Sequence, residues 1–360
     1  MKKAGALPDF EILSYIESGF IANARPENVQ SGSLDLAIGQ EIWRIDGVFM
    51  PRPGEKLRDA LKRRQLFPHS FSSPLEAQVT YYAALEESFR FPGNVYGYVN
   101  PKSSTARNFL RAQLVADGEP TYDSLPRGFR GSVGLLITPQ SHSVVLEPGL
   151  TLCQVRLLDS DTRFDRTRLS AELQRCKLVW RDGRPVGVDD SISLLDVDEG
   201  RLLFTVDLSG DGNGVICYRA RSLGKAVVLS QIGEHNPADF FEAVAEPPSG
   251  ELCMRPGELV LLRTRERIRV PPHFVAEVRM MDPRRGNFVA HGAGFIDAGY
   301  GWGGEGLPIT LEIGGVTEQL NLYHGQPVCT VAVEQMRAPA AKPYGGTYTT
   351  PRLLAKQFRT

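Results

Sequence analysis

Cysteine is scarce in this sequence, and the few cysteines form no pattern. The 360-residue chain has five, and none belongs to a Cys-x-x-Cys pair: Cys153, Cys176, Cys217, Cys253 and Cys329. An odd number of widely spaced cysteines argues against a disulfide framework and against a zinc knuckle. We expect most of them to be small buried apolar residues.

A surplus of charge and a long apolar run are also missing. The 41 lysine and arginine residues nearly balance the 42 aspartate and glutamate residues, which leaves a net charge of −1 and no basic field for nucleic acid. No apolar run approaches the about 20 residues that cross a bilayer, and residues 1–20 lack the apolar core of a signal peptide. We therefore expect a cytoplasmic protein with no nucleic-acid or membrane partner.

The sequence does contain many short apolar runs separated by glycine (36 residues) and proline (25 residues). Four clear examples are "GSVGLLIT" (131–138), "LTLCQVRLL" (150–158), "RLLFTVDL" (201–208) and "LPITLEI" (307–313). Such runs, bounded by turn residues, predict a mainly β fold, either a barrel or a sandwich. A few short helices are predicted over residues 10–19, 105–114 and 168–177.

Two pairs of segments indicate an internal duplication. "EESFRFPGNVYGYVNP" (86–101) resembles "RERIRVPPHFVAEV" (265–278), and "LEPGLTLCQV" (146–155) resembles "LYHGQPVCTV" (322–331). The matches occur in the same order at offsets of 179 and 176 residues. We predict a tandem duplication of one β domain, with a first repeat over 1–175 and a second over 176–360. The joint, near 160–195, includes a predicted hairpin, "WRDGRPVG" (180–187).

The two repeats have kept different polar motifs. The first has "VNPKSSTARNFL" (99–110), where the second has "MMDPRRGNFV" (280–289), without serines. The second has Asp297 and Glu312 in "GFIDAGYGWGGEGLPITLEI" (294–313), where the first places Leu136 or a neighbour in the position of the glutamate. Each repeat lacks what the other retains, and this pattern is natural if one site is built from both.

Two hydroxyls and two cations stand together at a predicted helix start: Lys102, Ser103, Ser104 and Arg107. The serines are either ordinary helix caps or part of an anion site in which the cations bind phosphate.

Acids and aromatic residues of the second repeat add to this set. Glu312 alternates with the apolar side chains of its strand, so it is either a solvated acid or a proton-transferring group in a pocket. Asp297 is either a turn residue or a hydrogen-bond acceptor for a sugar hydroxyl. Tyr300 and Trp302 are candidates for flat apolar walls. Together these residues indicate a nucleotide ligand.

These motifs resemble, in order, those of the deoxycytidine triphosphate (dCTP) deaminases, members of the trimeric deoxyuridine triphosphatase superfamily. The similar segments are "PKSSTAR" (101–107), "AGFIDAGYGW" (293–302) and "ITLE" (309–312), with further similarity in 30–45, 250–278 and the tail 342–358. The resemblance implies a fused two-copy chain. Each repeat would be a distorted, jelly-roll-like β-barrel of a kind that assembles around a threefold axis. The protein would be a homo-oligomer, and the family's active sites lie between neighbouring subunits. Whether the motifs meet within one chain or across chains stays open at this point.

The resemblance implies a hydrolase that deaminates dCTP to dUTP and ammonia and so supplies a precursor of dTTP. No zinc is expected, because the chain lacks the His-x-Glu and Pro-Cys-x-x-Cys motifs of the zinc deaminases. Glu312 would be the general base and then the general acid for a water that attacks C4 of cytosine. Ser103 would place this water, and Arg107 would keep Glu312 charged and oriented.

The resemblance also implies a set of substrate contacts. Lys102 and Ser104 would contact the phosphates and their Mg²⁺, and Asp297 would recognise the deoxyribose. The remaining implied contacts are Thr105, Ala106, Ala293, Thr310, Leu311 and Tyr344. dTTP would be a feedback ligand. The alternatives are a bifunctional enzyme that continues to dUMP, a non-catalytic nucleotide-binding regulatory module, and a purely structural duplicated β protein.

Overall fold

The computed structural model describes residues 3–187, 195–196, 200–222, 224–245, 249–286, 292–346 and 348–359. Regular structure in these ranges is mostly β, as predicted. Among the described residues, no helix is both long enough and apolar enough to cross a membrane.

The strands of the first repeat form one large antiparallel sheet. They are β1 (Ile21–Ala22), β2 (Leu34–Ile45), β3 (Leu66–His69), β4 (Tyr81–Arg90), β5 (Tyr96–Pro101), β6 (Leu110–Ala116), β7 (Ser124–Leu125), β8 (Arg130–Pro139), β9 (Ser143–Val145) and β10 (Thr151–Leu158). The order across the sheet is β6-β8-β4-β2-β10-β5-β7, with β1 beside β4 and β3 beside β2, while β9 lies outside it.

The second repeat has its own sheet. Its strands are β11 (Val179–Arg181), β12 (Arg184–Pro185), β13 (Leu195–Asp196), β14 (Arg201–Asp207), β15 (Val215–Ala220), β16 (Ala226–Val228), β17 (Phe241–Ala245), β18 (Glu251–Met254), β19 (Val260–Ile268), β20 (Phe274–Arg279), β21 (Phe295–Ile296), β22 (Leu307–Ile313), β23 (Leu320–Tyr323) and β24 (Pro327–Gln335). β16, β18 and β23 lie outside this sheet, because β16 pairs with β9 and β18 pairs with β23. Within the sheet, the series β22-β19-β14-β24-β20-β21 has the same order as β8-β4-β2-β10-β5-β7. This shared order confirms the duplication.

Helices are short and few in the described ranges. They are α1 (Asp9–Glu17), α2 (Leu57–Lys62), α3 (Ser103–Ala106) and α4 (Arg166–Cys176), with 3-10 turns at Pro26–Asn28, Pro237–Asp239 and Pro283–Arg285. α1 and α4 confirm two predictions. The predicted helix over 105–114 is wrong, because α3 ends at Ala106 and β6 begins at Leu110. Leu110, Ala112 and Leu114 point into the core at every second position, which is the period of a strand.

The predicted hairpin at the joint is confirmed as β11–β12. Its two turn residues, Asp182 and Gly183, have φ values of +50° and +75°, the left-handed conformation of a tight hairpin turn. The preceding helix, α4, packs Leu169 and Leu173 into the core of the second repeat. The boundary between 175 and 176 stays a prediction.

The two repeats are joined by more than the chain between them. β16 of the second repeat pairs in parallel with β9 of the first. Phe358, close to the end of the chain, is fully buried against Phe240 and Phe241 and packs into the core of the first repeat. These contacts hold the facing surfaces of the repeats at fixed positions, and the candidate site lies between those surfaces.

A buried ion pair also crosses between the repeats. Arg156 on β10 is 1% exposed, and its guanidinium donates to Asp297 Oδ1 (3.0 Å) and to the carbonyl of Ala276 (3.0 Å). The same guanidinium lies 4.2 Å from the ring centre of Phe295. Removing one partner of such a pair leaves the other charge buried and uncompensated.

We predict that Arg156→Met lowers the free energy of unfolding by about 3–5 kcal/mol, because it leaves the Asp297 carboxylate without its cation. Urea unfolding monitored by circular dichroism measures this change. Arg130→Met is the control, since Arg130 is exposed and its loss should cost within about 0.5 kcal/mol. Equal effects of the two substitutions would contradict the assignment.

Candidate active site

A cleft between the two repeats contains most of the residues that the sequence singles out. Its empty space is about 1020 Å³, including the open mouth, which is ample for a ligand of nucleotide size. The first repeat contributes Gln30, Asp35, Lys102, Ser103, Ser104, Arg107 and Gln154; the second contributes Ala293, Phe295, Asp297, Tyr300, Thr310, Glu312, Tyr344 and Tyr348, among others. Motifs from both repeats of a single chain therefore meet in one cleft.

The serines of α3 face this cleft and do not cap the helix. The residue that precedes α3 is Lys102, and no side chain caps the first turn. Lys102 Nζ donates to the Asp35 carboxylate and to Thr151 Oγ1 (2.8 Å). The capping interpretation of the serine pair is therefore wrong. The loop instead presents two hydroxyls and two cations, Lys102 and Arg107, to the cleft.

Asp35 is an acid in the cleft that the sequence analysis did not single out. It lies on β2, is 5% exposed, and its Oδ1 has no hydrogen-bond partner among the described residues. Burial raises the pKa of Asp35, and the charge of Lys102 opposes this effect. The first-repeat wall of the cleft thus holds an ion pair between a partly exposed lysine and a buried carboxylate.

Glu312 lies on β22 with its side chain directed away from the core of the second repeat, as the alternation predicts. It is only 6% exposed, so the solvated alternative is wrong. Its Oε2 accepts a hydrogen bond from the backbone N–H of Gly292 (2.8 Å). Burial raises the pKa of Glu312 to about 7, against the opposing charge of Arg107. Such a carboxyl can both accept and return a proton near neutral pH.

Arg107 does not pair directly with Glu312. Its guanidinium lies 3.7 Å from the ring centre of Tyr348 and donates to the carbonyl of Arg352 (2.6 Å). The same carbonyl accepts a hydrogen bond from Thr310 Oγ1 (3.2 Å). From the sequence we expected Arg107 to hold Glu312 in place, but the direct contacts of the Arg107 guanidinium come from the tail. Arg107 acts on the Glu312 carboxylate through its charge.

Asp297 follows β21 and is 8% exposed. In addition to the Arg156 contact, its Oδ2 accepts a hydrogen bond from Ser33 Oγ (2.7 Å). Both carboxylate oxygens are thus held in place by the first repeat, and each keeps a further lone pair for a ligand.

Of the twelve site residues that the sequence predicts, nine line the cleft: Lys102, Ser103, Ser104, Arg107, Ala293, Asp297, Thr310, Glu312 and Tyr344. The other three lie beside it. Thr105 donates to the carbonyl of Leu152, Leu311 is buried in the second core, and Ala106 lines a different cavity. Tyr300 lines the cleft, whereas Trp302 is 42% exposed and lies over Arg269.

Several cleft residues were not predicted from the sequence. Asp35 in the cleft and Arg156, which lies outside its lining and bonds to Asp297, each interrupt an apolar strand. A charged residue within an apolar strand is a signal that could have identified both. Gln30, Gln154 and Tyr348 carry no such signal, because their role depends on how distant segments pack.

Comparisons with known proteins agree with this geometry. The profile of the 2'-deoxycytidine 5'-triphosphate deaminase N-terminal domain matches residues 3–161, and that of its C-terminal domain matches residues 184–357. A crystal structure of 2'-deoxycytidine 5'-triphosphate deaminase from Agrobacterium tumefaciens is 30% identical, with a TM-score of 0.86 over 96% of this chain and 99% of that one. The chain belongs to the dCTP deaminase family.

Curated relatives in the family match shorter stretches. A protein from Methanobrevibacter smithii named "dCTP deaminase, dUMP-forming" is 36% identical over 115 residues, which cover 31% of this chain and 57% of the relative. The "dCTP deaminase" of Aeropyrum pernix is 30% identical over 137 residues, 36% of this chain and 71% of the relative. For the first of these relatives, the match thus spans little more than half of its length.

The dCTP deaminase motifs are each complete in only one repeat of this chain. Glu312 stands opposite Leu261 in the β22–β19 pairing, and Leu136 stands opposite Tyr82 in the β8–β4 pairing. Because Tyr82 and Leu261 are 179 residues apart, the offset of the repeats, Leu136 occupies the position of the glutamate. In the same way, Met281 stands where the first repeat has Lys102.

We predict that Glu312→Gln raises the melting temperature above pH 7 but not near pH 4.5. Folding raises the pKa of Glu312 from 4.5 to about 7, so the wild type is stable with the neutral carboxyl and loses stability as the pH rises through this window. A gain of about 2 °C or more at pH 8 is expected, since 1 kcal/mol moves the melting temperature by about 2–4 °C. Thermal unfolding between pH 4.5 and 8 measures it. A difference that does not change with pH would contradict the assigned shift.

Proposed function

We propose that this chain deaminates dCTP to dUTP and ammonia, with Glu312 as the general base and then the general acid. The observation that carries the proposal is that a buried carboxyl with a pKa of about 7 lines the same cleft as the Lys102–Arg107 loop. Membership of the dCTP deaminase family and the name of the Aeropyrum pernix relative support it.

The reaction consumes one water and releases one ammonia. Glu312 accepts a proton from a water as the water oxygen forms a bond to C4 of cytosine. This proton passes to ring N3 as the C4–N3 double bond becomes single. Glu312 then takes the proton of the new C4 hydroxyl and delivers it to the amino nitrogen, so the bond from C4 to the amino group breaks, C4=O forms, and ammonia leaves. The hydroxyl of Ser103 on the cleft wall places the attacking water, and the charge of Arg107 favours the ionised state of Glu312.

The rest of the cleft suits a nucleoside triphosphate. Lys102 and Ser104 offer a cation and a neutral donor to the phosphates. The ring centres of Tyr300 and Tyr344 lie 5.4 Å apart, and the two rings form an aromatic wall. Asp297 is the acceptor for a deoxyribose hydroxyl.

The Mg²⁺ that accompanies a triphosphate also fits this cleft. Asp35 presents a buried carboxylate oxygen that has no partner within the described part of the chain, and carboxylate oxygen is a ligand that Mg²⁺ prefers. Asp35 and the phosphates would hold the ion, whose charge offsets that of the phosphates. Independence from zinc is part of the proposal, because Glu312 supplies the proton transfer.

A second candidate is a bifunctional enzyme that converts dCTP to dUMP. The names of three relatives favour it, since the proteins of Methanobrevibacter smithii, Methanosphaera stadtmanae and Dictyoglomus turgidum are each named "dCTP deaminase, dUMP-forming". The additional step would be attack of water on the α-phosphorus with release of pyrophosphate. Glu312 serves the deamination step in both cases.

Incubation of the purified chain with dCTP and Mg²⁺, followed by chromatography and an ammonia assay, tests the proposal. We expect one ammonia and one dUTP for each dCTP consumed. Ammonia with dUMP and pyrophosphate would establish the bifunctional alternative. Bound dCTP without any product would contradict both and favour a regulatory module.

In the same assay, Glu312→Gln should lower kcat by about 10²–10⁴-fold, the usual contribution of a general base. The Kd for dCTP should stay within about tenfold, because the shape of the side chain is kept. Glu87→Gln is the matched control. Glu87 is also buried and its pKa is also raised to about 7 by burial, but it bonds to Ala37 outside the cleft. Full activity of Glu312→Gln, or equal losses in both variants, would contradict the mechanism.

A further inference from the structure

A second cavity, separate from the cleft, also reaches Glu312. We call it the rear cavity. It holds about 1180 Å³ of empty space including its openings, and it too lies between the repeats. Among the described residues, Glu312 is the one side chain that lines both the cleft and the rear cavity. The carboxyl therefore stands at the wall that the two spaces share.

The lining of the rear cavity runs from the interior to the surface. Ala106 and Phe109, each 3% exposed, line its inner part with Glu312. Arg111 and Gly315 also line it and are exposed. Neither exposed residue lines the cleft. The rear cavity thus connects Glu312 with solvent by a route that does not use the mouth of the cleft.

Polar groups along this route favour a small hydrogen-bonding molecule. Gln113 Oε1 is buried and has no hydrogen-bond partner among the described residues. A buried acceptor without a protein partner is normally satisfied by water or by another small donor. Asp123 lines the same space, and burial raises its pKa to about 7. A purely apolar cavity would instead stay dry.

The proposed deamination needs such a route. The nucleotide fills the cleft, and the tail crosses the same region through Tyr348 and Arg352, which contact Arg107. Water must still reach Glu312, and ammonia must still leave it. We propose that the rear cavity is the passage through which water enters and ammonia leaves while the nucleotide remains bound. This inference rests on the proposed function, because only deamination produces ammonia at Glu312.

The order of product release distinguishes this passage from an exit through the cleft. If ammonia leaves through the rear cavity, it departs before dUTP. Added ammonium then inhibits noncompetitively against dCTP, while dUTP inhibits competitively. If ammonia leaves only after the nucleotide, ammonium inhibits competitively. Initial rates with ammonium chloride at pH 8.5, matched to potassium chloride for ionic strength, separate the two patterns.

Two substitutions narrow the rear cavity from opposite repeats. Gln113→Phe fills it from β6 of the first repeat, and Leu259→Phe fills it from the residue just before β19 in the second. We expect each to lower kcat about tenfold, to leave the Kd for dCTP unchanged within about twofold, and to abolish the noncompetitive inhibition by ammonium. Gln113→Asn and Leu259→Met are the controls, because they keep the space open. A merely structural effect would not change the inhibition pattern.

Competitive inhibition by ammonium in the wild type would overturn the passage. So would filling variants that keep the wild-type kcat and inhibition pattern. In either case the wild type still deaminates dCTP, so the proposed function stands. A wild type without ammonia production would overturn both. The melting temperature and the Kd for dCTP show which of the two filling variants is folded. One folded filling variant is sufficient to test the passage.

Discussion

The burial of one carboxyl group is the constraint on which the rest of the structure depends. Glu312 is 6% exposed and accepts a backbone hydrogen bond from Gly292. The positive charge that opposes the effect of burial on its pKa, Arg107, belongs to the other repeat and is held by the tail. Removing water raises the pKa of the carboxyl towards neutrality. This environment exists only because two repeats and the tail close around the same strand.

The duplication explains how such an environment can be built from one ancestral domain. Two barrels in one chain present their facing surfaces at a fixed distance. Three features maintain this distance: the pairing of β9 with β16, the Arg156–Asp297 ion pair and the buried Phe358. Once the facing surfaces form one cleft, each repeat needs only its own half of the motifs. Two buried apolar residues, Leu136 and Met281, stand at the positions that correspond to Glu312 and Lys102 of the other repeat.

Much of this arrangement could be predicted from the sequence, where the signal is local. Short apolar runs bounded by turn residues identified β8, β10, β14 and β22, and matching segments at nearly one offset revealed the repeats. In β22, Glu312 alternates with apolar residues, and this alternation predicted that its side chain points away from the core of the second repeat. Residues 105–114 were misjudged because a four-residue helix runs almost directly into β6. The partners of Arg107 could not be predicted, because they lie about 240 residues away in sequence and depend on tertiary packing.

The central claim is that one chain builds its cleft from both of its own repeats, and a mixing experiment tests it most directly. Ser103→Ala removes a first-repeat residue and Glu312→Gln a second-repeat residue. Co-expression of the two variants should give no more dCTP turnover than the two give separately, because every cleft then lacks one of the groups. Wild type co-expressed with the double variant is the control and should keep its own share of activity. Turnover restored in the mixture of single variants would contradict the account, because it requires a cleft shared between chains.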